Sequence, residues 1–118
     1  LMNNPRLESR LREMDSTCIL ELAGEIDLDS APAFRSILSE ATSHNPDHII
    51  LNLSRVRYVD SSGFAAILGT AKAVRALGGS VSLVGCNTAV QRIVKLMQLD
   101  AVFGMFATEE EALQAARA

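Results

Sequence analysis

The side chains best suited to chemistry form one tetrapeptide, Asp60, Ser61, Ser62 and Gly63, a carboxylate followed by two hydroxyls and a glycine. It follows the most apolar stretch of the chain, Ile49, Ile50, Leu51 and Leu53, and precedes a helical pattern. The carboxyl end of a buried strand is where open α/β sheets usually place ligands and modifications. Asp, Ser and Gly are also what any strand-to-helix turn uses for capping, so the residues alone leave both readings open. A second polar group, Gly24, Glu25, Ile26 and Asp27, stands before the first helical pattern. If the two preceding strands are parallel neighbours, both groups fall on one sheet edge and form one surface. The alternative is that Asp27 and Asp29 cap the helix and Glu25 is solvated.

Other chemistry lacks its parts. A serine nucleophile needs a base, and only His44 and His48 are present, with no G-x-S-x-G elbow. His48 begins the apolar strand and Ser62 lies beyond its far end, about 20 Å away at roughly 3.3 Å per residue. An enzyme is therefore not expected. His44 and His48 are four apart, but Pro46 between them disfavours a shared helical face, so no metal site is implied. Asp60 to Gly63 also fits a D-x-x-G phosphate loop, although G-x-x-x-x-G-K-[ST] and G-x-G-x-x-G are absent. A nucleotide-binding regulatory module is thus a weaker alternative, and no cofactor is expected. Cys18 and Cys86 are solitary and read as two buried thiols.

With 118 residues, the chain is expected to be a single domain spanning 1–118. Leu1 ahead of Met2 reads as foreign, and residues 1–6 are expected to be disordered or extraneous. Apolar residues make up 48% of the chain and aromatic ones only 4%, so the core must be aliphatic. A net charge of -3 offers no footprint for nucleic acid, and no basic cluster suits an anionic membrane. Neither a membrane span nor a signal peptide is read, and a cytoplasmic location is expected.

The elements that must position these groups follow from periodicity. Cys18, Leu20 and Leu22 alternate as in a strand that Gly24 ends, while Leu7, Leu11 and Met14 suggest an earlier strand joined to it through Asp15 and Ser16. Asp29 and Ser30 offer N-cap oxygens for a helix with Phe34, Ile37, Leu38 and Ala41 on one stripe, ending near Ser43. The run from Ile49 to Leu53 is apolar on both faces and calls for helices over a central parallel strand. Tyr58 to Gly63 connects it to a helix carrying Phe64, Ile67, Leu68, Ala71 and Val74, which Gly78 and Gly79 stop. That helix has only Lys72 and Arg75 as charges, and Ala65, Ala66, Gly69, Ala73 and Ala76 would let a partner approach closely.

Val81, Leu83 and Val84 form the next strand. Thr88 with Gln91 reads as a capping box for a helix with Val90, Ile93, Val94 and Met97 on one stripe. Val102, Phe103, Met105 and Phe106 suggest a last strand. Thr108 with Glu111 caps a final helix whose dipole favours Glu109 to Glu111. The fold class is therefore α/β, a sandwich built on a mostly parallel sheet of about four to five strands with about four helices.

Taken together, the segments GEIDLDSAPAF, HIILNLSRVRYVDSSGFAAIL and GGSVSLVGCNTAVQRIVKLMQL resemble the STAS domain of bacterial anti-sigma factor antagonists, over about Leu11 to Ala116. The chain departs at Phe64, where that family more often has Leu or Ile, and its first strand matches poorly. The resemblance implies that Ser62 is phosphorylated, with Ser61 as the rival position, by a serine kinase that is also the anti-sigma factor. The unphosphorylated form would bind that kinase and free the sigma factor, and a PP2C-type phosphatase would restore it. The implied partner surface is Glu25, Asp27, Asp60, Ser61, Ser62, Gly63 and Phe64. Two other roles resemble this one: STAS pieces of anion transporters and small subunits of lipid-transport machines.

Overall fold

The chain runs β1 (Leu7–Met14), β2 (Thr17–Ile26), α1 (Ala31–Ser43), β3 (His48–Val59), α2 (Ser61–Ala76), β4 (Ser80–Val84) and α3 (Thr88–Leu96). A 3-10 turn (Leu99–Ala101), β5 (Gly104–Phe106) and α4 (Glu109–Arg117) complete it. This computed structural model describes residues 6–117. The expected order of elements is present. The strands lie side by side in chain order, β1 antiparallel to β2 and the rest parallel. Asp15 takes φ 57° in the hairpin turn, a conformation that a short polar side chain tolerates.

The two faces of the sheet are covered unequally. On one, Cys18, Leu20, Leu22, Ile49, Leu51, Leu53, Val81 and Leu83 pack with Phe34 and Leu38 of α1, Ile67 and Ala71 of α2, and Val90 and Val94 of α3. On the other, Ile19, Ile50 and Val84 meet Ala112 and Leu113 of α4. The two-sided apolar run of β3 thus finds helices on both sides, as its pattern requires. Glu109 fastens α4 to the sheet, accepting from Arg12 Nη2 at 2.6 Å and Asn52 Nδ2 at 2.7 Å. Both thiols are buried and free.

Several expectations are corrected. Gly24 does not end β2, which continues to Ile26 through register shifts on either side of Gly24. β3 likewise runs on to Val59. Its buried residues Leu53, Val56 and Val59 are three apart, so strict alternation fails. The shifted pairing explains this, because Glu21 opposes Asn52 whereas Ala23 opposes Arg55, an extra residue on β3. α2 begins at Ser61 rather than Phe64, so Ser61 to Gly63 are its first turn and not a linker. Asn87, not Thr88, caps α3, its side chain accepting from Val90 N–H at 2.9 Å. Met97 leaves the stripe and is 54% exposed, because the helix has already ended at Leu96. The last strand contains only Gly104–Phe106, while Phe103 is buried in the main core beside the 3-10 turn.

Gly69, in the middle of α2, needs no glycine for internal packing: a Cβ there would meet nothing within 4 Å. Gly69→Ala is therefore expected to stabilise the protein by about 0.5–1 kcal/mol, from helix propensity alone, measured as a shifted urea midpoint.

Candidate functional site

β2 and β3 are parallel neighbours with Ile26 opposite Val59, so the two polar groups do share one sheet edge. The strand ends are joined by Asp60 N–H, which donates to Ile26 O at 2.9 Å. Asp60 is the N-cap of α2, with extended backbone, and one of its carboxylate oxygens, Oδ1, organises the turn. It accepts from Ser62 N–H at 2.9 Å, Gly63 N–H at 3.3 Å and the Ser62 hydroxyl at 2.5 Å. This satisfies donors that every helix start leaves open. The capping reading is thus correct for Asp60, and it coexists with a hydroxyl held at the surface: Ser62 is half-buried and Ser61 exposed.

The Asp60 carboxyl is held below its ordinary value of 3.8, first by the Ser62 hydroxyl and then by the N–H groups of Gly63, Ser62 and Leu28, against the opposing effect of desolvation. Its stabilising contribution is therefore present above the ordinary value and lost as pH falls through the lower folded value. Ser62→Ala removes the first of these causes. The Asp60 titration in that variant is expected to move up toward 3.8, followed by carboxyl carbon shifts against pH. An unmoved titration would contradict the assigned bond.

The second group is locked differently. Ser30, fully buried, makes no side-chain cap to α1, contrary to expectation. Its hydroxyl turns back, accepting from Asp27 N–H at 2.9 Å and donating to Glu25 O at 2.8 Å, while Asp27 Oδ1 accepts from Ser30 N–H at 3.0 Å. Glu25 is not merely solvated. Arg6 bridges it at 2.9 Å and Asp27 at 2.5 Å, and Arg57 stands 3.6 Å from its other oxygen. Arg6 was expected to lie outside the fold, yet its carbonyl also accepts from Glu25 N–H at 2.7 Å. The rest of that expectation, residues 1–5, lies outside the described residues.

Glu25, Asp27, Asp60, Ser61, Ser62 and Gly63 thus come together on one edge. Phe64 does not join them: only 3% exposed, its ring packs in the core, four residues and so about one helical turn beyond the Asp60 cap. Gly63 is buried too, and a Cβ there would sit 2.6 Å from Ile26 Cγ2 and 2.8 Å from Val59 Cγ1. Sequence reading missed Arg6, whose contacts to Glu25 and Asp27 arise only through strand pairing, and Leu28, a leucine 75% exposed beside Asp27; it offered Ser30 as a cap oxygen but not its turn back to Glu25 and Asp27. No pattern marks Arg6 or Leu28.

Neither histidine is placed to act as a base for Ser62. His44 lies 3.1 Å from Glu13 and His48 2.7 Å from Ser80, both at the opposite end of the sheet. Among the described residues there is no cluster able to hold a metal ion and no helix long and apolar enough to cross a membrane.

Comparison with known proteins agrees with this architecture. The STAS domain family matches residues 8–112. Anti-sigma-F factor antagonist RsfB of Mycobacterium tuberculosis is 30% identical over 105 residues, covering 87% of this chain and 84% of that protein. The crystal structure of an anti-sigma factor antagonist from Mycobacterium paratuberculosis superposes with a TM-score of 0.88 at 24% identity, covering 99% of this chain and 100% of that one. SpoIIAA, a Bacillus cell fate determinant solved in its phosphorylated form, gives a TM-score of 0.72 at 27% identity over 92% and 98% of the two chains. This chain belongs to the STAS domain family, and its sequence relatives include proteins named anti-sigma factor antagonists.

Proposed function

We propose that this protein is an anti-sigma factor antagonist that works by binding, without catalysis of its own. Acting in the cytoplasm as a single STAS domain, it docks on a serine kinase that is also an anti-sigma factor and thereby releases the sigma factor. Phosphorylation of Ser62 ends that docking, and a PP2C-type phosphatase restores it. The observation that carries this reading is the Ser62 hydroxyl itself, half-buried on the first turn of α2 and 2.5 Å from the carboxylate of Asp60. Its proton already faces an acceptor, and the oxygen lies on an edge bearing Glu25, Asp27 and Asp60 that a partner can read.

The fold tolerates the modification. A phosphoserine adds about -1.5 to -2 charges, and a helix N-terminus favours an anion through its dipole and free N–H groups. Asp60 opposes it with like charge and already occupies two of those N–H groups. Phosphopeptide mapping after incubation with the kinase and ATP tests the assignment. One phosphate on Ser62 is expected, lost in Ser62→Ala and kept in Ser61→Ala; phosphate that persists in Ser62→Ala overturns it.

A further inference from the structure

α1 and α2 run side by side from the edge that bears Ser62, and between them lies an open groove of about 420 Å³. α1 contributes Arg35, Leu38, Ser39 and Thr42; α2 contributes a floor of small residues centred on Gly69. We propose that this groove seats an α-helix of the same anti-sigma kinase that reads Ser62, with small apolar side chains facing Gly69 and a carboxylate facing Arg35. The inference rests on the proposed function and extends it to a second, separable contact.

Four observations converge on that occupant. The groove is continuous with the Ser62 edge, because Ala65 and Ala66 in its lining are one turn below Ser62. From Ala65 to Ala73 it runs eight residues of helix, about 12 Å, enough for two turns of a docked helix. Gly69 leaves an opening that nothing in this chain fills, at the centre of a helix that alanine would stabilise. Without a Cβ, this face admits close approach by a second backbone. Arg35 is the one charged residue of the lining and enters no ion pair among the described residues, so a carboxylate is the matching group.

The experiment measures affinity for the kinase in wild type, Ser62→Asp, Gly69→Leu and Arg35→Glu, with circular dichroism and melting to confirm folding. Gly69→Leu is expected to melt at or above wild type and to bind at least tenfold more weakly, since leucine fills the groove without touching this chain's interior. Arg35→Glu, on an exposed turn of α1, is expected to lose about fivefold or more and decides alone should Gly69→Leu fail to fold. Wild-type affinity in either folded groove variant, while Ser62→Asp loses binding, overturns the groove and leaves the proposed function standing. Wild-type affinity in Ser62→Asp, or no binding by the wild type, overturns the function and the groove with it.

Discussion

Ser62→Asp is expected to remain folded and to bind its kinase partner at least a hundredfold more weakly than wild type, a difference of about 2.7 kcal/mol. An acidic edge meeting a basic partner would, on charge alone, gain from one more anion. The geometry of phosphoryl transfer reverses that expectation. A kinase docked for transfer holds the phosphates of its nucleotide in line with the attacking Ser62 oxygen. A phosphate on that oxygen, or the carboxylate that replaces it in Ser62→Asp, then occupies the same volume and meets like charge at short range. Asp60 adds to the effect, because its Oδ1 loses the hydroxyl donor at 2.5 Å and gains an anion in its place. Ser62→Ala keeps a neutral side chain and is expected to bind within a few-fold of wild type. Calorimetry with the kinase decides: a folded Ser62→Asp protein with wild-type affinity would remove the switch from the proposal.

Gly24→Ala is expected to lower stability by about 3 kcal/mol, roughly 12 °C in Tm for a chain of this size. Two effects add. Gly24 has φ +119°, which L side chains rarely adopt, and an added Cβ would stand 2.1 Å from the Arg6 carbonyl oxygen. That carbonyl is backbone and is held by Glu25 N–H, so it cannot move without releasing β1 from β2. The change also loosens the Arg6 clamp on Glu25 and Asp27, so affinity for the partner should fall with stability. Urea unfolding measures the first effect, and a loss under about 0.5 kcal/mol would contradict the close approach. Residue 24 therefore belongs to the site as a support: its close approach to Arg6 holds β1 against the end of β2 that carries Glu25 and Asp27.

Much of the architecture was legible locally. The alternation of Cys18, Leu20 and Leu22, the helical stripe of Phe34, Leu38 and Ala41, and the two-sided apolar run from Ile49 to Leu53 each announce an element and its buried side. Parallel pairing follows from helices alternating with strands, and it brings Asp60 to Gly63 beside Gly24 to Asp27. Boundaries fared worse at Gly24, Val59, Thr88 and Met97. At the first two, the bulges break the period of two on which strand recognition depends. At Thr88 and Met97, a cap is chosen by side-chain geometry that composition does not specify.

Residue order by itself determined the class of fold, the aliphatic core and a hydroxyl-bearing turn at the end of the central strand, because hydrophobic period and capping chemistry are encoded within a few neighbouring positions. Only the tertiary structure decided that Arg6 clamps Glu25 and Asp27 from 19 and 21 residues away, that Phe64 turns inward, and that a groove opens between α1 and α2 below Ser62. Those features depend on register and on how helices settle across a twisted sheet. Such long-range contacts leave no periodic trace in the chain that forms them.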